Sequence, residues 1–277
     1  MATTKWPKKP TRWQVGKDLY ISVPFTWDLP GLRAEFVQRP LFIGKIIVGG
    51  PAVKLVPGTF VDLPWVEEGP ARCDGALQQV NPMATRTTVG CPNRCKFCAV
   101  HRMNGGEFRE LDDWPDLPIL IDDNLLAASD AHIDRVMDRL ERHDQVDFNQ
   151  GLDANLLSDH HAERIARLRK PIVRLAMDSQ AEAGSWLTAF HRLREAGVAK
   201  HKIRSYALIG FDSGPDEAWE RCEWVEGHGI KVLPMWFTEL DALQHNVVTQ
   251  RQRELGWDDF ERRRIMQWFY FHKKVER

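Results

Sequence analysis

Cysteine is scarce in this chain, which has five among 277 residues. A small secreted domain that depends on disulfides carries a denser set, so a disulfide scaffold is excluded and a reducing cytosol is expected. The sequence also lacks an apolar run that could span a bilayer, and its first ten residues lack the apolar core of a secretory signal. We therefore expect a cytoplasmic protein without membrane contact.

An excess of charge of one sign is also missing, since the formal net charge is −1. The chain as a whole should not attract polyanions, and a nucleic-acid contact would need a local patch. Tryptophan, by contrast, occurs eleven times. Aromatic side chains of this size fill cores and line pockets, and they also stack on bases.

Three of the five cysteines, Cys91, Cys95 and Cys98, lie within eight residues in the spacing C-x3-C-x2-C. Thiolates are the natural ligands of iron–sulfur clusters, and a short loop can wrap one face of a cubane cluster when its ligands are this close. Three ligands leave one of the four irons without a protein ligand. The spacing therefore indicates an open coordination position for a substrate or cofactor.

This loop, with the aromatic Phe97 before its last cysteine, resembles the signature of the radical S-adenosylmethionine (radical SAM) enzymes. The resemblance implies that Cys91, Cys95 and Cys98 hold a [4Fe-4S] cluster whose free iron binds S-adenosyl-L-methionine (SAM). It also implies that a reductant protein such as a flavodoxin or ferredoxin supplies the electron that cleaves SAM. The resulting 5′-deoxyadenosyl radical would abstract a hydrogen atom from the substrate.

Two other interpretations of the cysteines stay open. A zinc site could use His101, three residues after Cys98, as a fourth ligand. A disulfide with a spare thiol is disfavoured by the low cysteine count. Cys73 is interpreted as a plain thiol, and Cys222, between Trp219 and Trp224, as a buried small hydrophobe.

From residue 85 the pattern alternates between strands and helices, which implies parallel strands joined by right-handed crossovers. Strands are predicted at 85–89, 117–122, 146–149, 172–177, 205–209 and 230–235. Helices are predicted at 131–142, 159–169, 183–197 and 213–226. These six units predict an α/β fold, and they match the partial (β/α)6 TIM-like barrel of the radical SAM family, with the site at the C-terminal strand ends. The predicted domains are an extension with its linker at 1–84, the core at 85–240 and a basic, aromatic helical segment at 241–277.

The N-terminal extension is predicted to contain a flexible basic arm at 1–16, strands at 19–23 and 44–50, a short helix at 32–37 and a linker at 58–84. Its Gly-Gly-Pro segment at 49–51 resembles a shortened cobalamin-binding, Rossmann-like domain of some radical SAM enzymes. Residues 1–100 contain no histidine that could ligate cobalt. We therefore expect no cobalamin bound through a histidine.

Polar or small residues follow successive predicted strands, and together they indicate a pocket. By the resemblance, Asp122, Asp123 and Asn124 take the place of the segment that touches the SAM amino group. The SAM carboxylate and ribose hydroxyls would be bound after the third and fourth strands, and adenine would approach a glycine after the fifth. The predicted contacts there are Asn149, Gln150, Asp153, Asp178, Ser179, Gly210 and Met235.

Basic and aromatic side chains are interleaved at the C-terminus. They are Arg251, Arg253, Arg262, Arg263, Arg264, Lys273, Lys274 and Arg277, with Trp257, Phe260, Trp268, Phe269, Tyr270 and Phe271. Such a mixture suits a nucleic-acid surface. An amphipathic helix that closes the open side of the barrel explains the same residues, and we slightly favour this second interpretation.

The compact chain resembles short radical SAM proteins encoded in phage genomes. This resemblance implies modification or rearrangement of a nucleobase, for example hypermodified thymine in DNA. Two alternatives are radical modification of a peptide and a non-catalytic zinc or iron–sulfur protein that binds nucleic acid.

Overall fold

The computed structural model describes residues 6–38, 44–69 and 75–271 of the chain. The chain forms two compact units. Unit 1 comprises Met1–Ala84, Asn93–Gly106 and Thr238–Asn246, and unit 2 comprises Thr85–Pro92, Glu107–Phe237 and Val247–Arg277. The predictions for Cys73, Lys273, Lys274 and Arg277 lie outside the described residues.

Unit 1 contains a four-stranded sheet in the order β1-β2-β3-β4. Its elements are β1 (Thr11–Val15), β2 (Asp18–Ser22), α1 (Leu29–Phe36), β3 (Ile46–Gly49), α2 (Pro51–Leu55), β4 (Val66–Glu68), α3 (Ala76–Val80) and α4 (Val100–Asn104). Strand β2 pairs in antiparallel with β1 and in parallel with β3, and β3 pairs in parallel with β4. Buried apolar side chains from the central strands and α1, such as Val48 and Phe36, form the core of this unit.

Two predictions for the N-terminal extension are wrong. The segment 1–16, predicted as a flexible arm, contains β1, whose Thr, Trp and Val side chains favour an extended backbone. The segment 58–84, predicted as a linker, contains β4 and α3. In both places the prolines, glycines and charged residues led to a prediction of irregular structure. The strands and helix found there are stabilised by pairing with a neighbouring strand or by packing.

Unit 2 contains a six-stranded sheet in the order β12-β11-β10-β9-β8-β5. Its strands are β5 (Ala84–Thr85), β6 (Thr88–Val89), β7 (Arg109–Glu110), β8 (Ile119–Leu120), β9 (Val146–Phe148), β10 (Pro171–Met177), β11 (Ile203–Ile209) and β12 (Lys231–Trp236). Its helices are α5 (Asp130–Leu140), α6 (Asp159–Arg167), α7 (Ala183–Glu195), α8 (Pro215–Gly227), α9 (Gln250–Glu254) and α10 (Asp259–Phe271).

The strands from β8 to β12 pair in parallel with their sequence neighbours, and the sheet is open. This confirms the predicted α/β class and the predicted parallel pairing of strands that are joined by helices. Two helices of unit 2 begin at residues that favour a helix start. The Ser129 hydroxyl accepts a hydrogen bond from the His132 N–H at the start of α5, and Pro215 occupies the first turn of α8.

The predicted first strand of the core, 85–89, is two short strands. Strand β5 joins the six-stranded sheet, whereas β6 pairs in antiparallel with β7. The chain therefore leaves the parallel sheet before it reaches Cys91. This departure gives the residues just before Cys91 backbone groups that need other partners.

Residues 247–271 of the C-terminal segment belong to unit 2 and contribute to its core. Helix α10 lies against β12 and α8, with Ile265 and Phe269 fully buried. Trp257, just before the helix, is also buried, and its indole N–H donates to the Ser213 carbonyl at 2.7 Å. The predicted helix is therefore present and packs against unit 2, whose sheet is open. Within the described ranges, no helix combines the length and apolar character needed to cross a bilayer.

Candidate cofactor site at the strand ends

Gly90 sets the direction of the chain at Cys91. Its φ is +86°, and a Cβ at this position would lie 1.6 Å from the Glu107 carbonyl oxygen. Only glycine allows such a close approach, because any side chain would collide with backbone. Cys91 itself is 9% exposed. The thiol is therefore held in a buried position by a sharply turned backbone.

Asp122 fixes the segment that leads to Cys91. This segment, residues 86–90, is called the approach segment below. One carboxylate oxygen, Asp122 Oδ1, accepts hydrogen bonds from the backbone N–H groups and hydroxyls of both Thr87 and Thr88, the Thr87 N–H at 2.7 Å. Burial raises the pKa of Asp122, while these donors act to lower it. The carboxylate thus satisfies the backbone groups that β6 leaves without partners in the parallel sheet.

Asp123 also binds the approach segment. Its Oδ2 accepts from the Gly90 N–H at 2.9 Å, and its Oδ1 lies 3.6 Å from the Arg86 guanidinium. These contacts extend the tether to the residue beside Cys91.

Asn124 contacts the cysteine itself. Its Nδ2 lies 3.4 Å from Cys91 Sγ and 3.3 Å from Asp153 Oδ2. Asn124 is 5% exposed, and its Oδ1 is buried without a hydrogen-bond partner among the described residues. Asp122, Asp123 and Asn124, called the strand-end triad below, follow β8 and connect its end to the approach segment.

The second half of the cysteine loop belongs to unit 1 and forms a turn. The Cys98 N–H donates to the Cys95 carbonyl at 3.0 Å, and Phe97 lies between them, half-buried. This bond brings residues i and i+3 of a turn together, so the backbone positions of the two cysteines are close. Helix α4 follows, and His101 Nδ1 in it is buried without a hydrogen-bond partner in the described part of the chain.

The three residues predicted to contact SAM after the third strand have different surroundings in the structure. The Asn149 carbonyl accepts from the Tyr206 hydroxyl at 2.9 Å, while Gln150 is exposed and lines a cavity of about 10 Å³ beside Asp122. Asp153 Oδ1 accepts from the Asn155 N–H at 3.0 Å and from its side-chain amide at 3.2 Å. Asp153 is thus fixed on one side while its other oxygen contacts the strand-end triad.

Asp178 lies in a group of carboxylates after the fourth strand. Burial, followed by the negative charge of Glu182, raises the pKa of Asp178 to about 7, although Arg221 acts to lower it. Asp153 and Asp212 contribute further repulsion. The backbone N–H groups of Asp178 and Ser179 both donate to Glu182, which begins the next helix. A cation placed here would offset this negative charge.

The last two predicted contacts are held by the C-terminal segment. The Gly210 carbonyl accepts from the Gln252 amide at 2.7 Å, and a Cβ on Gly210 would lie 2.4 Å from the Trp236 ring. Close packing of the Trp236 ring thus requires glycine here. Met235 is 44% exposed, and the Tyr270 hydroxyl lies 3.9 Å from its sulfur.

Sequence reasoning missed the contacts of Thr87, Thr88 and Gly90 with the strand-end triad. It also missed a buried ion pair beneath the strand ends. Arg174 and Asp147, on neighbouring strands, are 6% and 2% exposed and form a salt bridge, and Arg174 donates to the Phe148 carbonyl at 2.9 Å. A signal was present, since a charge inside an apolar strand pattern usually has a buried partner. The partner was not evident because the two strands lie 20 or more residues apart in the sequence.

In the described ranges, no group of three or more His, Cys, Asp or Glu side chains is arranged to hold a metal ion. The strand-end residues of unit 2 nonetheless converge. Asp122, Asp123, Asn124 and Asp153 form one connected set that contacts the approach segment or Cys91 directly. Comparison with models of known protein families finds no match to this chain, and comparison with curated proteins finds none.

Proposed function

We propose that this chain is a radical SAM enzyme built on a partial (β/α)6 barrel. The observation that carries the proposal is the C-x3-C-x2-C loop, whose first cysteine is buried and receives a side-chain amide from the end of the next parallel strand. Active sites of parallel α/β folds lie at the carboxyl ends of their strands. The order of the unit 2 strands supports this placement.

The donor set fits a [4Fe-4S] cluster. Three thiols in eight residues suit iron, and the N–H that points at Cys91 Sγ is the kind of outer contact that thiolate ligands receive. The turn from Cys95 to Cys98 gives two further thiols adjacent backbone positions. Cys91, Cys95 and Cys98 would hold the cluster.

The strand ends fit SAM, which carries an ammonium and a sulfonium group. Asn124 Oδ1 and Asp122 Oδ2 are buried acceptors without partners in the described residues, and the carboxylates around Asp178 favour a cationic ligand. Asn149, Gln150, Ser179, Gly210 and Met235 remain proposed contacts of the same ligand. When bound, and given an electron by a flavodoxin or ferredoxin, cluster and SAM would supply hydrogen abstraction from a substrate.

A nucleobase is the proposed substrate class, on the resemblance to the short phage-encoded members of the family. The tail lends this less support than its composition suggested. Arg262 and Arg264 pair with Asp259 and Glu261 of their own helix, and Phe269 is inside the core. Modification of a peptide is the competing substrate class.

The test is anaerobic reconstitution with iron and sulfide, followed by addition of SAM and dithionite. We expect 5′-deoxyadenosine by mass spectrometry from the wild type and none from Cys95→Ala. Cys222→Ala is the matched control, because Cys222 is fully buried in α8, where burial raises its pKa to about 12. This control should retain the product.

The alternative hypothesis, a non-catalytic zinc protein, predicts a different metal content. If the purified protein contains zinc without iron and forms no 5′-deoxyadenosine, the proposal that the chain is a radical SAM enzyme is wrong. His101 would then be the fourth ligand to examine, since its Nδ1 is buried and lacks a partner in the described residues. Product formation with labelled DNA but not with peptide would support the nucleobase substrate.

A further inference from the structure

We infer that Asn124 is a positioning residue that sets the reduction potential of the cluster through Cys91, an inference that rests on the proposed function. Asn124 was predicted as a contact of SAM. Its nitrogen is instead within hydrogen-bond distance of the sulfur of the first cysteine, at 3.4 Å. The side chain that the sequence placed at the cofactor therefore also contacts a ligand of the cluster.

The orientation of the Asn124 amide follows from its neighbours. Asp153 Oδ2 lies 3.3 Å from the same nitrogen, and a carboxylate oxygen accepts hydrogen bonds. Asn155 holds the other oxygen of Asp153 through both its backbone N–H and its side-chain amide. The NH₂ end of Asn124 must therefore face Asp153 and Cys91, with one hydrogen for each acceptor.

The effect of this N–H on the cluster is electrostatic. Reduction adds one electron, and part of the added negative charge resides on the thiolate sulfurs. A donor that points at the sulfur stabilises the reduced state more than the oxidised state, so it raises the potential. Asn124 is 5% exposed and Cys91 9% exposed, so solvent screens this interaction little.

The experiment is a redox titration of the reconstituted cluster, followed by electron paramagnetic resonance of the reduced form. In Asn124→Ala we expect unchanged iron content and a lower potential. At a fixed solution potential the ratio of reduced to oxidised cluster should fall about tenfold, which corresponds to about 59 mV for one electron. Asn124→Leu should lower the ratio by a similar amount, because it keeps the approximate size of the side chain and removes the N–H that faces the sulfur.

Asn155→Ala is the matched control. It removes an amide that contacts Asp153 but leaves Cys91 and Asn124 unchanged, and the Asn155 backbone N–H still holds Asp153. Its potential should equal that of the wild type. Circular dichroism of each variant establishes that the fold is kept.

Several results would overturn the inference. A potential in Asn124→Ala equal to that of Asn155→Ala would show that Asn124 does not tune the cluster. A potential in Asn124→Leu at or above the wild-type value would also do so. Loss of iron from both folded Asn124 variants would assign Asn124 to cluster retention instead. These results leave the proposed function intact, whereas a wild-type protein that binds no cluster would overturn both.

Discussion

The protonation of Asp178 makes the stability of the folded chain depend on pH. Its pKa of about 7 lies well above the usual 3.8 of an aspartate, because burial and neighbouring carboxylates disfavour its charged form. Between these two values the unfolded chain has lost the proton that the folded chain keeps. Unfolding therefore releases a proton, and stability falls as the pH rises from about 4 to about 7.

We expect Asp178→Asn to stabilise the protein at pH 8 and to leave it unchanged at pH 4. Asparagine is neutral at both values, and it resembles the protonated aspartate in size. One unit of pKa corresponds to about 1.4 kcal/mol, and 1 kcal/mol shifts the melting temperature of a chain of this size by about 2–4 °C. Thermal unfolding at the two pH values measures the difference.

Asp216→Asn is the control, because Asp216 is exposed in the first turn of α8 and should not destabilise the fold by its charge. An equal gain from Asp178→Asn at both pH values would contradict the burial argument, since its effect would then not depend on the charge.

At the scale of elements, helix α10 shows how packing uses residues that composition assigned to a surface. Phe269 is fully buried, and its ring lies 5.2 Å from the Trp219 ring of α8. Phe260 and Phe271 on the same helix are 56% and 67% exposed. One face of the helix thus belongs to the core of unit 2, and only the remainder is available to a partner.

We expect Phe269→Ala to lower the free energy of unfolding by about 3–5 kcal/mol, the usual cost of removing a buried phenylalanine. Phe260→Ala is the matched control on the same helix, and it should change stability by about 0.5 kcal/mol or less. Urea unfolding of both variants gives the comparison. Similar losses in the two would show that α10 does not pack as a closing helix.

For the whole molecule, the two hydrophobic cores are built from side chains other than Cys95 and Cys98. The core of unit 2 centres on large buried residues such as Trp186 and Phe148, and that of unit 1 on residues such as Ile21 and Phe60. A (β/α) fold with such cores does not depend on one loop for its structure. We therefore expect any metal that the cysteine loop binds to serve chemistry rather than folding.

We expect Cys95→Ala to lose iron while its melting temperature stays within a few degrees of the metal-free wild type. Circular dichroism and iron analysis of the same sample measure the two properties. A protein organised by zinc would instead unfold when a ligand is removed, because metal binding supplies its folding free energy. Unfolding of Cys95→Ala would thus favour the zinc protein.

The strands and helices of unit 2 could be predicted because each has a local pattern. The strand at 172–177 is an apolar run, observed as Pro171–Met177, and the helix from 183 is observed as Ala183–Glu195. Strand β1 was missed because the prolines and basic residues around it obscured its strand-forming side chains, and its pairing with β2 is not visible in a short segment. Local signals therefore sufficed where an element buries its own apolar residues.

The candidate site also has features that short segments predict and features that only tertiary contacts decide. The cysteine spacing and the polar residues after each strand are properties of short segments. The sequence by itself therefore determined which cysteines are candidate metal ligands, that the strands are parallel, and at which edge of the sheet a site is expected. Only the tertiary structure decided that the strand-end triad contacts the approach segment and Cys91. Those contacts join residues more than 30 positions apart, and only the pairing of distant strands brings their side chains together.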